Sequence, residues 1–362
     1  MADRESKLKR ALNLRGRGSH TNPTGRFERF ETVEFDDGWT NEEDIPPVRT
    51  EVATETPKSV IARNTSPDIP FDRSLNAYRG CEHGCVYCFA RPSHAYLGLS
   101  PGLDFETKLT AKPNAAALLK KEIAKRSYRV ATLAMGTNTD PYQPIERQLR
   151  ITRQVLEVLN EWSHPVSIVT KGTLIEQDLD VIGSMAKRGI ASVGISVTTL
   201  DPELSRSMEP RAPAPTRRLA TISRLAEKGV PVRVMIAPVV PGLTDHELEN
   251  ILKSAREAGA TRASYIALRL PREVSPLFQE WLSRCKPGYA SRVMARVREY
   301  HDGSDYSSEW SKRMTGTGQH AQLLAKRFQN ATKKLGYCTG SESLRCDLFK
   351  KPERLNPQME LF

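Results

Sequence analysis

From Ser74 onward the chain alternates short apolar runs with amphipathic stretches of helix length, and this alternation restricts its fold more than any other feature. Strands are predicted at 75–79, 129–135, 166–170, 192–198, 232–237 and 264–268. Helices are predicted between them at 115–125, 148–160, 178–188, 216–227 and 245–258. A strand followed each time by a helix returns parallel to its predecessor, because the helix carries the chain back across the face of the sheet. Two arrangements satisfy that rule, an open doubly wound sheet and a six-unit partial barrel, and periodicity does not choose between them. Gly189, Gly229 and Gly259 each fall just before a predicted strand, where a left-handed residue stops a helix.

With 362 residues, 38% of them hydrophobic, the chain has enough apolar surface for one barrel-sized core. Around the βα region, 61–270, the composition changes. Residues 1–60 set a basic stretch (Lys7, Lys9, Arg10, Arg15, Arg17) against an acidic one (Glu34, Asp36, Asp37, Glu42, Glu43, Asp44) with little apolar periodicity, and read as a mostly disordered charged arm. Residues 271–362 read as a basic C-terminal extension of short helices, with Tyr289, Tyr300, Tyr306, Trp310 and Phe328 among Lys and Arg. The net charge of +11 admits nucleic acid or another polyanion as partner, although an ordinary solvated basic surface has the same composition. No apolar run reaches membrane-spanning length and the first ten residues lack the apolar stretch of a signal peptide, so a cytoplasmic protein without a membrane partner is expected.

Six cysteines in a chain of this length do not suggest a disulfide framework. Cys81, Cys85 and Cys88 are spaced C-x3-C-x2-C directly after the first predicted strand. Thiolates at this spacing suit an iron-sulfur cluster or zinc. A closed structural zinc site needs a fourth ligand, which His83, Cys285, Cys338 or Cys346 could supply. A 4Fe-4S cluster on three cysteines leaves one iron open to the amino and carboxylate groups of a substrate.

The motif, with the aromatic Tyr87 before the third cysteine, resembles the radical SAM superfamily. The string 76–91 (Asn-Ala-Tyr-Arg-Gly-Cys-Glu-His-Gly-Cys-Val-Tyr-Cys-Phe-Ala-Arg) and 136–144 (Gly-Thr-Asn-Thr-Asp-Pro-Tyr-Gln-Pro) resemble the branch that contains spore photoproduct lyase and related DNA-repair-like proteins. The resemblance covers about 74–270. It implies a partial (β/α)6 barrel of TIM type, a 4Fe-4S cluster on Cys81, Cys85 and Cys88, and S-adenosylmethionine (SAM) cleaved reductively to a 5′-deoxyadenosyl radical. It also implies SAM contacts at the C-terminal ends of the strands. Gly136 begins the element that receives the SAM amino group, and its usual acidic third residue is replaced by Asn138, so either Asn138 or Asp140 takes that role. Lys171 and Ser196 resemble positions touching the methionine and ribose portions. Their plain alternatives are a solvated lysine and a strand serine satisfied by backbone. Arg211, in a Pro-rich loop, suits a carboxylate or phosphate, or is a surface residue. The region 237–244 resembles the wall that packs on adenine. One departure stands out: the hydrogen-donor cysteine that spore photoproduct lyase carries after its second strand has no counterpart in 135–140.

The implied function is a radical SAM enzyme, lyase-like or hydrogen-abstracting, acting on DNA with an electron-donor reductase as partner. RNA, protein or small-molecule substrates, or a cluster protein that binds nucleic acid without turnover, are the alternatives. The stretch 358–362, from Gln358 to Phe362 with Met359 and Leu361 between, resembles the short peptide that docks on the DNA polymerase sliding clamp, and intramolecular packing is its alternative.

Overall fold

The computed structural model of the protein describes residues 14, 16–28, 48–340 and 343–351. The strands along them are β1 (Glu51–Thr54), β2 (Ile61–Arg63), β3 (Arg73–Leu75), β4 (Tyr78–Arg79), β5 (Lys108–Ala111), β6 (Leu133–Met135), β7 (Val166–Thr170), β8 (Ala191–Ser196), β9 (Val232–Val239) and β10 (Arg262–Ala267). β1, β5 and β4 form a small sheet of their own. The other seven run in the order β10-β9-β8-β7-β6-β3-β2, and only β2 is antiparallel to its neighbour. A doubly wound sheet reverses its strand order at a switch point. Here the parallel strands follow chain order throughout, so the βα units wind in one direction as a partial barrel.

The helices α1 (Ala115–Ile123), α2 (Ile151–Glu161), α3 (Leu179–Lys187), α4 (Pro215–Glu227) and α5 (Leu248–Glu257) alternate with these strands. α2 shows why they form: Ile151, Val155, Leu156 and Leu159 recur at helical spacing and are buried, while Arg153 and Glu157 pair at 2.8 Å on the outer face. The barrel strands meet them with Ile168, Val193, Ile195, Val234 and Ile236, all at most 1% exposed.

Two predicted elements are divided. The strand expected at 75–79 leaves the main sheet at Asn76, whose side-chain oxygen accepts from the amides of Asn138 (3.0 Å) and Thr139 (3.4 Å). Tyr78 and Arg79 then pair with β5 instead. The helix expected at 148–160 breaks at Arg150 (φ 49°), and the buried Glu146 carboxylate accepts from the Thr152 amide at 2.8 Å to start α2 afresh.

The expected disordered arm needs correction where it is described. Arg17 is 6% exposed and donates to the carbonyls of Glu106 (3.0 Å) and Val48 (2.9 Å), and β1 pairs with β5. The remaining charged stretches of 1–60 and the peptide 358–362 lie outside the described residues. The C-terminal helices α6 (Val274–Cys285), α7 (Ala290–Tyr300) and α8 (Gly318–Lys334) are part of the same body. Phe278, Trp281, Leu282, Val293, Met294 and Val297 share a buried cluster with Cys85, Val86 and Tyr87. Among the described residues no helix is long and apolar enough to cross a membrane.

The sheet's two edges, β10 and β2, are linked by the segment 306–315. The Met314 carbonyl accepts from the Ala267 amide at 2.8 Å, beside β10. Arg313 holds Asp68, in the turn after β2, by two bonds of 2.7 and 2.6 Å. Arg313→Ala and Asp68→Ala are each expected to cost about 1 to 2 kcal/mol in urea unfolding, with the double variant costing little more than either. Additive losses would show that the two residues do not act as a pair.

Candidate active site

The cysteine loop follows β4 and has no strand or helix to satisfy its backbone, so other groups do. The Cys81 amide donates to the Phe105 carbonyl (2.9 Å), Val86 to Met208 (3.0 Å) and Cys88 to Cys85 (3.2 Å). The Gln143 side chain accepts from the Glu82 amide (2.9 Å) and donates to the Gly80 carbonyl (3.3 Å). Arg91, fully buried, donates to the carbonyls of Cys85 (2.9 Å) and Gly102 (2.7 Å) and to the buried Glu106 carboxylate (2.5 Å). Glu106 also accepts from the amides of Gly18 (2.9 Å) and Ser19 (2.8 Å).

That last contact brings the N-terminal segment onto the loop. Gly84 sits at φ 65°, where a side chain would meet the Glu106 carboxylate, and a Cβ on Gly18 would overlap the Gly84 carbonyl oxygen. Sequence reasoning named Arg17 only as part of a charged arm, and did not single out Gly18, Ser19 or Glu106.

Cys81 and Cys85 are buried and Cys88 is partly exposed. Burial raises the Cys81 thiol well above its usual range and pushes Cys85 up to about 12. Among the described residues no three Cys, His, Asp or Glu side chains converge as for a single metal ion. Of the fourth zinc ligands that the sequence allowed, His83 stays in the cysteine loop, paired with Asp140. His83 Nδ1 lies 3.3 Å from Asp140 Oδ2, and Cys285 and Cys338 are exposed. Cys346 lies beyond α8, beside the Leu344 carbonyl. The donor set of Cys81, Cys85 and Cys88, joined by one short loop with Cys88 packed against the two apolar clusters that hold Cys85 and Cys81, fits a three-thiolate cluster.

Behind the loop lies a second buried pair. Glu209 and Arg218 are both fully buried and ion-paired, and Glu209 also accepts from the hydroxyls of Tyr87 and Thr198. Burial alone would raise the Glu209 carboxyl, but Arg218 and Lys171 bring it down to about 2. The Tyr87 hydroxyl is therefore spent on Glu209, leaving its ring beside the Lys171 ammonium at 5.7 Å. Burial opposes the Lys171 charge, yet Cys85 and Glu209 hold its pKa above the usual lysine range. Glu209 and Arg218 were missed in the sequence. A signal was present: Arg218 occupies the buried stripe of α4 with Pro215, Ile222 and Leu225.

The structure gathers the other expected residues at the C-terminal ends of β6, β7 and β8. Gly136 has φ 86°, and a Cβ there would overlap the Val169 carbonyl. Asp140 accepts from the Thr170 hydroxyl (2.5 Å) and the Lys171 and Tyr142 amides (both 2.8 Å), besides facing His83. Against the raising effect of burial, His83 and these donors hold it at about 2. Asn138, by contrast, is exposed. The Ser196 hydroxyl donates to the Ala237 carbonyl at 3.1 Å, as its plain alternative supposed, and still has its acceptor lone pairs. Arg211 is exposed, as its surface alternative supposed, and is tied to the cysteine loop: it binds Glu82 at 3.0 Å, and its amide donates to the His83 carbonyl.

Two outcomes are expected. Glu209→Ala strands the Arg218 charge and costs about 3 to 5 kcal/mol in urea unfolding; a loss below 1 kcal/mol would mean that water reaches the guanidinium. Gly18→Ala lifts the N-terminal segment, so the reconstituted protein loses iron to a chelator several-fold faster. Equal release rates would show that the segment does not protect the loop.

The radical SAM superfamily model matches residues 75–255. An uncharacterized protein of Mycobacterium tuberculosis strain H37Rv is 42% identical over 232 residues, 64% of this chain and 68% of the relative. Spore photoproduct lyase complexed with dinucleoside spore photoproduct aligns with a TM-score of 0.56 at 13% identity, over 79% of this chain and 80% of that one. A mutant of that lyase with bound AdoMet and dinucleoside spore photoproduct aligns with a TM-score of 0.56 at 12% identity, over 82% and 86%. At such identity the likeness to the lyase is one of fold. With its cysteine motif at the mouth of a parallel partial barrel, the chain belongs to the radical SAM superfamily, whose members bind a 4Fe-4S cluster and SAM.

Proposed function

We propose that the chain is a hydrogen-abstracting radical SAM enzyme whose substrate is nucleic acid. The observation that carries the enzymatic reading is the loop of Cys81, Cys85 and Cys88, fixed by buried ion pairs at the C-terminal mouth of the barrel. A cluster bound there supplies the electron that divides SAM into methionine and a 5′-deoxyadenosyl radical. The protein's part is placement. Lys171 offers a cation to the methionine carboxylate, and the exposed Asn138 offers an amide oxygen to the amino group, since Asp140 is already occupied by His83, Thr170 and Lys171. Gly136 permits the close turn, Ser196 offers an acceptor to a ribose hydroxyl, and Tyr87 forms an apolar wall. Arg211 positions the loop through Glu82. An external reductase supplies the electron.

Nucleic acid as substrate is supported by the net charge of +11 and by the shared fold with an enzyme whose structures hold a dinucleoside lesion. The loop 135–140 carries no cysteine, so a hydrogen is not returned from that position as in the lyase. Docking of 358–362 on a sliding clamp would place such an enzyme on DNA.

Cys81→Ala, Cys85→Ala and Cys88→Ala are each expected to reduce iron to background and abolish formation of 5′-deoxyadenosine under reducing conditions. Cys285→Ala, Cys338→Ala and Cys346→Ala are expected to keep the iron. Survival of the iron without Cys85 would refute the assignment. Absence of 5′-deoxyadenosine from the fully loaded wild-type protein would leave a cluster protein without turnover.

A further inference from the structure

Several arginines are matched by carboxylates: the buried Arg91 by Glu106 and Arg218 by Glu209, and the less buried Arg211 by Glu82 and Arg313 by Asp68. Arg269 is different. It lies two residues beyond the end of β10, next to the buried Leu268, and among the described residues no carboxylate pairs with it. Its Nη1 meets only the soft Met314 Sδ at 3.3 Å, and its Nε is buried without a partner. A buried donor with no acceptor is costly enough that an absent acceptor is the usual explanation.

The surroundings specify the chemistry of that acceptor. The Arg269 guanidinium lies 4.8 Å from the ring centre of Phe89 and 6.0 Å from that of Tyr306. Phe89 directly follows Cys88, the least buried of the three motif cysteines, and is 43% exposed. A half-open aromatic ring beside a guanidinium offers a stacking face and a fork of donors in one place. Phosphodiester oxygens match the fork, and a base matches the ring. An open cavity of about 780 Å³ elsewhere in the described residues is a poorer candidate, because Asp201, Asp245 and Glu247 on its wall offset Lys286, Arg292 and Arg296.

We infer that Arg269 and Phe89 form the docking point for one nucleotide of the substrate strand, the phosphate on Arg269 and the base on Phe89, at the rim next to Cys88. This inference rests on the proposal that the substrate is nucleic acid, and it names the residues that hold it.

The test uses the cluster-loaded full chain and fluorescein-labelled single-stranded DNA and RNA oligonucleotides. Arg269→Gln is expected to weaken binding about tenfold and to lower the slope of log affinity against log salt by about one. Arg269→Lys should restore the slope but not the full affinity. Phe89→Ala, a change at a half-exposed ring that keeps the charge, should weaken binding with the slope unchanged. Unaltered affinity and slope in Arg269→Gln overturns the inference, and so does a loss of affinity that comes with loss of iron. If the wild-type holoprotein binds neither oligonucleotide, the nucleic-acid reading itself fails, a result separate from any variant's.

Discussion

The Glu106 carboxylate, removed from water together with Arg91, organises the part of the molecule that matters most. Two charges in an apolar interior cost more than they return unless each is fully used. Here each is. Glu106 holds Arg91 and two amides of the N-terminal segment, and Arg91 spends its remaining donors on carbonyls of the cysteine loop and its neighbours. A loop of ligands cannot gain rigidity from a strand ladder, and these charge-assisted bonds supply it instead. Glu209 and Arg218 repeat the device from the opposite side, through the Tyr87 hydroxyl.

The barrel contributes direction. Because its strands run parallel in chain order, every βα turn emerges at one end, and residues remote in sequence share a rim. Asp140 joins three turns: it lies after β6, receives Thr170 and Lys171 from the end of β7, and faces His83 of the cysteine loop. It is the joint between barrel and loop. That role explains why an acidic residue sits there.

Most of this was readable where the determining interactions are local. Apolar periodicity placed the barrel strands to within a few residues, and the spacing of Cys81, Cys85 and Cys88 announced the candidate site because all three cysteines lie on one short loop. What was not readable depends on partners far along the chain. Leu75 to Arg79 reads as one strand because nothing nearby reveals that Asn76 bonds to residues sixty positions later. The segment at Arg17 to Ser19 reads as a loose arm because hydropathy registers apolar burial, whereas this segment is held by backbone amides, a guanidinium and a glycine contact. Arg218 was the exception, a charge in an apolar stripe whose oddity was visible even though its partner was not.

The way the chain treats β10 has a consequence for solubility. As the last strand of an unclosed barrel, β10 presents an edge whose free amides and carbonyls invite pairing with another molecule. Met314 takes the amide of Ala267 at one end, the amide of Cys338 binds the Thr261 carbonyl at the other, and Arg262 reaches the Gly340 carbonyl. Between them the Tyr265 ring packs on Phe328 of α8, with centres 4.8 Å apart. The C-terminal region thus screens the template that an open barrel leaves behind, and a chain cut before α8 would keep the Met314 contact but carry the rest of that strand uncovered, prone to associate edge to edge.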